Sequence, residues 1–333
     1  MANLKTYTWE EALQLTSCRL GETKLGEGIE ILTGTEDLEA SESKFVLLGI
    51  CEDLGVRANL GIGGAHTAWP DALKALVNVQ FTEKLAPVAL LGYLDFSEEM
   101  QKAESLDVKI PQDLQQLREM VSMVDQAVSE IVAEIFKSGK KPILVGGGHN
   151  NAYPIIKAFT ETRGESVNVI NLDAHADFRA LEGRHSGNGF SYAFHENHLH
   201  KYAVLGLHEN YNSHRMVKDL QSYPERIYFE FQENFLKEST SYDKAFAEAL
   251  NFTQGNCGLE IDLDCISGTL SSAMSPAGFS LQQVRELVYQ TQPFKMGYLH
   301  ISEGATELRD GRRGDLTGKT IAYLITDFIK AQS

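Results

Sequence analysis

Residues 167–179 read Val167-Asn168-Val169-Ile170-Asn171-Leu172-Asp173-Ala174-His175-Ala176-Asp177-Phe178-Arg179. The first six form a near-continuous apolar run of the kind that strands show when both faces are covered. The run then gives way to Asp173, His175 and Asp177, spaced two apart with only alanines between them. Side chains two apart on extended backbone point the same way. The spacing therefore predicts three N and O ligands projecting together from the carboxyl end of a buried strand. Leaving them unpaired near a core is costly, and a cation removes that cost.

Seven further runs read as strands, at 44–50, 87–94, 141–148, 201–208, 226–231, 257–266 and 296–303. Helical patterns lie between many of them. The clearest opens after Pro111 and places Leu114, Leu117, Val121, Val124, Val128, Ile131 and Ile135 on one face. Another follows Thr317, read as an N-cap, with Ile321, Leu324, Ile325 and Phe328 on one face. Alternating β and α elements imply a mostly parallel sheet with helices on both faces. No linker, repeat or low-complexity stretch divides the chain, so residues 1–333 are read as one domain, with 1–43 a peripheral extension.

The chain has 333 residues, 43% of them hydrophobic, long enough to bury a core without a disulfide or structural metal. A metal site is therefore expected to serve function. Its net charge of −16 repels phosphate backbones and anionic headgroups, which argues against nucleic-acid and membrane partners. No run approaches the roughly 18 apolar residues of a membrane span, and the start of the chain lacks a signal-peptide pattern. Cys18, Cys51, Cys257 and Cys265 show no CxxC spacing or disulfide framework, which suits a cytoplasmic protein.

Two more segments repeat the strand-end device. Gly258-Leu259-Glu260-Ile261-Asp262-Leu263-Asp264 sets Asp262 and Asp264 on one face, and Pro142-Ile143-Leu144-Val145 runs through three glycines to His149. Taken singly, each segment also fits helix-capping aspartates or a core histidine. Together, two histidines and four aspartates exceed what one tetrahedral Zn needs and suit hard or borderline ions. With bridging carboxylates they fit two metals roughly 3.5–4 Å apart, a pair that lowers the pKa of a bridging water towards about 7.

The stretches Gly146-Gly147-Gly148-His149-Asn150, Asp173-Ala174-His175-Ala176-Asp177 and Glu260-Ile261-Asp262-Leu263-Asp264 resemble the signature of the ureohydrolase family of arginase, agmatinase and formimidoylglutamase. The resemblance spans residue 45 or so to the end. It implies an arginase-like three-layer α/β/α fold with an eight-stranded, mostly parallel sheet. It implies two Mn2+ ions per subunit, one held by His149, Asp173, Asp177 and Asp262, the other by Asp173, His175, Asp262 and Asp264. Asp177 would also orient the bridging hydroxide. Glu303 matches the family glutamate that holds a substrate's amidine or guanidine nitrogens, a pairing that a strand-end carboxylate can make through two hydrogen bonds. A trimer or hexamer is implied as well.

Within the family, arginase carries a proton-transfer histidine shortly after Ser-Gly-Asn. Here Ser186-Gly187-Asn188-Gly189-Phe190 puts phenylalanine there, which resembles formimidoylglutamase. Glu52-Asp53-Leu54-Gly55-Val56-Arg57-Ala58-Asn59 resembles that subfamily's substrate-side loop. Arg57 and Arg179 are the expected partners of a substrate carboxylate, although Arg57 also fits a solvated loop charge. Asn59, Asn188 and Asn210 are further candidates for substrate contact, and His185 for the missing proton shuttle. His195, His198 and His200 have a loose ligand-like spacing but read as solvated or capping residues.

The sequence also departs from the family. Gly148 replaces the aspartate that arginases and agmatinases usually show before the histidine, and Glu260 stands where many members have serine. All six ligands are retained, so the departures bear on the substrate. The expected reaction is hydrolysis of N-formimino-L-glutamate to glutamate and formamide, within histidine breakdown. The alternatives are another guanidino hydrolase acting on arginine, agmatine or a guanidino acid, or a non-catalytic metal-binding protein. A Zn deacylase of the related fold would call for an adjacent His-His pair, which the chain lacks.

Overall fold

The computed structural model describes residues 3–83 and 85–333. Its strands are β1 (Leu4–Lys5), β2 (Glu30–Ile31), β3 (Phe45–Cys51), β4 (Val88–Asp95), β5 (Lys141–Val145), β6 (Val167–Leu172), β7 (Leu199–Leu207), β8 (Ile227–Phe231), β9 (Cys257–Asp262) and β10 (Met296–Ser302). Each of the eight runs expected as a strand is one, β3 to β10. They lie side by side in the order β4-β3-β5-β10-β9-β6-β7-β8, every neighbouring pair parallel. Two two-residue strands from residues 3–43 join the outer edge at β4, β1 antiparallel and β2 parallel. Among the described residues the sheet thus has ten strands, the eight expected plus these two.

Alternation along the strands builds the layers. Phe45 and Leu47 of β3, Ile170 and Leu172 of β6 and Leu299 and Ile301 of β10 join one core with Leu73, Leu76, Val284, Ile321 and Phe328 from helices Ala68–Val77, Leu281–Gln290 and Thr317–Gln332. Val46 and Leu48 of β3 and Val167 and Val169 of β6 face the other way, onto Val121, Val128, Ile135, Ile155 and Phe159 from helices Pro111–Lys137 and Ala152–Arg163. Burying one such aliphatic side chain contributes about 1.5–3 kcal/mol, and it is the two-sided burial that makes these strands apolar throughout.

The boundaries differ from expectation where glycines or polar side chains turn the backbone. The run 141–148 stops at Val145 because Gly146 and Gly147 turn into positive φ (95° and 71°). The run 257–266 stops at Asp262, whose carboxylate accepts from the Asp264 N–H (2.8 Å) and starts a 3-10 turn over Leu263–Cys265. Thr317 is not the N-cap of the last helix but its first residue, and its hydroxyl donates to the Ala305 carbonyl (2.8 Å).

Candidate metal centre

Because β5, β10, β9 and β6 are adjacent and parallel, their carboxyl ends open on one edge of the sheet, where open α/β folds bind ligands. After β5 the glycine turn delivers His149, fully buried. Glu52, also fully buried, braces that turn: its carboxylate accepts from the Gly148 N–H (2.8 Å), the Asn151 side chain (2.8 Å) and the Gly55 N–H (3.1 Å). A Cβ at Gly148 would stand 2.5 Å from Asn150 Oδ1 and 3.3 Å from Glu303 Oε1, so an aspartate does not fit there unless its neighbours shift.

After β6 the chain is no longer extended. Asp173 accepts from the His175 N–H (2.7 Å), and Asp177 takes a left-handed φ of 45°. The convergence read from two-residue spacing is therefore made by a folded loop. Asn212 pins this loop, accepting from the Ala176 N–H (3.0 Å) and donating to the Ala174 carbonyl (3.0 Å).

The six expected ligands come together. His149 Nδ1 lies 3.1 Å from Asp173, 3.0 Å from Asp177 and 3.3 Å from Asp262 carboxylate oxygens, and His175 Nδ1 lies 3.0 Å from Asp264 and 3.6 Å from Asp173. Two groups result, His149-Asp173-Asp177-Asp262 and Asp173-His175-Asp264, the donor atoms of each within 4.8 Å of one another. His149 Nδ1 is buried without a hydrogen bond, in the midst of three carboxylates. An orphaned nitrogen beside crowded acids is the donor set a divalent cation satisfies.

The titration pattern agrees. Burial would lower His149, but Asp173, Asp177, Asp262 and Glu260 hold it well above its ordinary value. Burial also works against His175, which Asp264 and Asp173 raise. Burial and the Asp264 and Asp173 carboxylates push Asp262 up, while burial and Asp173 raise Asp177 to about 6. Opposed shifts packed this closely mark a site built for added positive charge.

Glu303 follows β10 with φ 61°, and its carboxylate accepts from the His149 N–H (2.9 Å). Burial pushes its carboxyl up to about 8 against that N–H, with Asp177 and Asp264 adding to the rise. It lines a cavity of about 260 Å³ together with His175, Asp177, Asp262, Asp264 and Arg179. Arg179 is half-exposed at the rim and donates to Asn59 Oδ1 (3.1 Å). Asn59 also lines the cavity.

Other expected residues sit elsewhere. Arg57 is turned back from the cavity and donates to the Ala103 carbonyl (2.7 Å), within 3.6 Å of Asp53, because the short helix Leu54–Ala58 presents Val56 to the cavity instead. Asn188 is buried and holds its own loop, donating to the Gly183 carbonyl (2.8 Å) and accepting from Arg184 (2.6 Å). Asn210 is exposed and outside the cavity lining. His185 is buried away from it, its Nδ1 accepting from the Gly187 N–H (3.1 Å), and burial with Arg118, Arg179 and Arg184 lowers it to about 3. Its Nδ1 lone pair is thus engaged, and its Nε2 faces Glu182 (3.3 Å) and not the cavity. Phe190 packs edge-on against the His149 ring (5.0 Å).

Sequence reading missed the roles of four neighbours, Glu260, His300, Tyr298 and Tyr211. Glu260 Oε2 lies 3.4 Å from His149 Nε2 and accepts from His300 Nδ1 (2.6 Å), while its Oε1 accepts from the Tyr298 hydroxyl (2.9 Å). Burial would raise Glu260, but His300 and His149 hold it down to about 2. The available signal was that Glu260 and Asp262 share a strand face. Tyr211, stacked on His175 (5.5 Å) at the cavity edge, carried no signal.

Residues 44–327 match the family model described as the arginase family. The chain belongs to the arginase family. It is a hydrolase acting on C–N bonds, and it is similar to the formimidoylglutamase of Macrococcus caseolyticus, 27% identical over 291 residues that cover 84% of this chain and 83% of that one. The formimidoylglutamase of Corynebacterium efficiens is 25% identical over 250 residues, 74% of this chain and 72% of its own. Among solved structures, formimidoylglutamase from Bacillus subtilis superposes with a TM-score of 0.72 at 17% identity, covering 95% of this chain and 93% of its own. Trypanosoma cruzi formiminoglutamase with Mn2+ superposes with a TM-score of 0.69 at 18% identity, covering 93% and 98%. At such identities the superpositions show the arginase fold. Among the described residues no helix is long and apolar enough to cross a membrane.

Proposed function

We propose that this arginase-family hydrolase cleaves N-formimino-L-glutamate to L-glutamate and formamide, using two Mn2+ ions per subunit. The carrying observation is that two ligand groups sharing Asp173 lie beside Glu303 in one cavity with Arg179 at its rim. His149, Asp173, Asp177 and Asp262 would hold one ion, and Asp173, His175, Asp262 and Asp264 the other. When bound, such a pair activates water near neutral pH and offsets charge developing at the attacked carbon.

The protein's own residues do the rest. Glu303, fixed by the His149 N–H, is positioned to accept hydrogen bonds from the formimino nitrogens. Arg179, whose guanidinium meets Asn59 (3.1 Å) and Glu182 (3.3 Å), has the charge and position to pair with a substrate carboxylate in place of Glu182. Asp177 faces both the ligand cluster and the cavity, where it can accept a proton from water. Water adds to the formimino carbon, the carbon–nitrogen bond to glutamate breaks, and the amine leaves with a proton. The four free thiols suit the reducing cytoplasm we propose for it, and the family resemblance carries with it a trimer or hexamer.

Proton NMR of the Mn-loaded protein with N-formimino-L-glutamate tests the substrate. Equal release of formamide and glutamate is expected. No turnover on this compound, with urea released from arginine, agmatine or a guanidino acid, would reassign the substrate within the family.

A further inference from the structure

We propose that Glu260, clamped between His300 and Tyr298, is a positioning residue that sets the tautomer and orientation of His149 for metal binding. The inference rests on the two-ion reading above and concerns how this chain builds one of the two sites.

Glu260 and His300 are direct partners across the β9–β10 ladder, and Glu260 shares its strand face with Asp262 two residues on. Glu260, His300, Tyr298 and His149 are all fully buried. A carboxylate so enclosed is costly unless its oxygens are satisfied. Here Tyr298 donates to one oxygen, and His300 to the other, which also faces His149 Nε2 at 3.4 Å.

A neutral imidazole carries one N–H and one lone pair. Nε2 makes no hydrogen bond at this geometry, but the Glu260 carboxylate 3.4 Å behind it favours the hydrogen there, leaving the lone pair on Nδ1. That nitrogen faces Asp173, Asp177 and Asp262 at 3.0–3.3 Å, where the cation would sit. A carboxylate behind a ligating histidine also raises its basicity, and such partners typically govern metal affinity by about 10–100-fold. Phe190 packs edge-on against the same ring (5.0 Å).

The same atoms permit a rival arrangement. His149, Glu260 and His300 offer donor atoms within 4.8 Å of one another, and His300 Nε2 has no hydrogen-bond partner. A third ion there would require His149 to ligate through both nitrogens with no N–H left, and Glu260 to serve it while holding Tyr298. The positioning role asks for neither.

The test is Mn2+ titration of the metal-free protein by calorimetry, wild type against Glu260→Gln, with the melting temperature of each metal-free form. The wild type is expected to take up two ions. Glu260→Gln should weaken one of them about 10–100-fold, leave the other unchanged, and keep a melting temperature within a few degrees of wild type. A purely structural role would instead lower the melting temperature and weaken both ions together. Unchanged binding of both ions would overturn the proposal, as would three ions in the wild type and two in the variant. A wild type that binds no Mn2+ removes the metal centre itself, and the inference with it. If Glu260→Gln does not fold, Tyr298→Phe decides: selective weakening of one ion supports the role, and unchanged affinities refute it.

Discussion

Glu303 and Asp177 are non-glycine residues held at positive φ (61° and 45°), and both face the cavity. Such conformations cost about 1–3 kcal/mol each and persist where surrounding contacts over-determine them. For Glu303 the contacts are its N–H donating to the Gly147 carbonyl (2.9 Å) and its carboxylate accepting from His149. Glu303→Gln keeps that acceptor but cannot ionise, whereas an amidinium beside the Glu303 carboxyl would favour its charged form. It should lower kcat/KM by about 30-fold or more, in line with the ~2–5 kcal/mol lost when one partner of a buried charge pair is removed, while the protein still takes up Mn2+. Near-normal turnover in that variant would leave Glu303 without its proposed role. The raised histidines have a consequence as well. In the metal-free protein the facing carboxylates keep His149 and His175 protonated above the usual range, so an arriving cation must displace protons. Apparent Mn2+ affinity should rise with pH, with proton release visible as calorimetric heats that change with the buffer's ionisation enthalpy. Heats that do not depend on the buffer would mean the histidines bind no proton beforehand. His185 stands at the opposite extreme, lowered to about 3 and outside the cavity. His185→Asn should cost stability but leave the shape of the pH–activity profile as in the wild type. A displaced acidic or basic limb would restore it as a proton shuttle.

Four neighbouring strand ends and one long helix frame the site at the element scale. Helix Pro111–Lys137 reaches it through Asp125, whose carboxylate accepts from Arg184 Nε (2.8 Å). Arg184 in turn donates to the Asn150 carbonyl (2.9 Å), next to His149. The guanidinium also lies between the Tyr153 and Tyr192 rings, 4.6 and 4.7 Å from their centroids. Asp125→Asn leaves this buried cation unpaired and should cost about 3–5 kcal/mol in urea unfolding. A loss under 1 kcal/mol would mean the pair does not tie helix to site. The strands were legible in the sequence because two-sided burial makes each an unbroken apolar run, and the ligands because acids and histidines interrupt those runs at their ends. The loop after Leu172 was not legible as a loop, since two-residue spacing in Asp173-Ala-His175-Ala-Asp177 mimics extended backbone while side-chain hydrogen bonds in fact fold it. Arg57 was misplaced because one residue's rotation on the short helix Leu54–Ala58 decides whether Val56 or Arg57 faces the cavity. The Glu260 clamp depends on β9–β10 register, a contact across 40 positions that no local pattern encodes.

For the molecule as a whole, the net charge is −16, and Asp177, Asp262, Asp264 and Glu303 line one cavity with His175 and Arg179 while Asp173 and His149 complete the cluster behind them. Such a concentration of like charge opposes folding until cations neutralise it, so ion binding should be linked to global stability. Free Mn2+ at about 100 times its dissociation constant adds about 2.7 kcal/mol, and chelation should lower the melting temperature by several degrees. An identical melting curve with and without chelator would deny that linkage. The most direct test of a two-ion hydrolase is to titrate the metal-free protein with Mn2+ while following formamide release from N-formimino-L-glutamate. Turnover is expected to be absent at the start and to reach its plateau at two equivalents per chain. Full activity in the presence of chelator, or a plateau at one equivalent, would contradict a two-ion site built by His149, Asp173, His175, Asp177, Asp262 and Asp264.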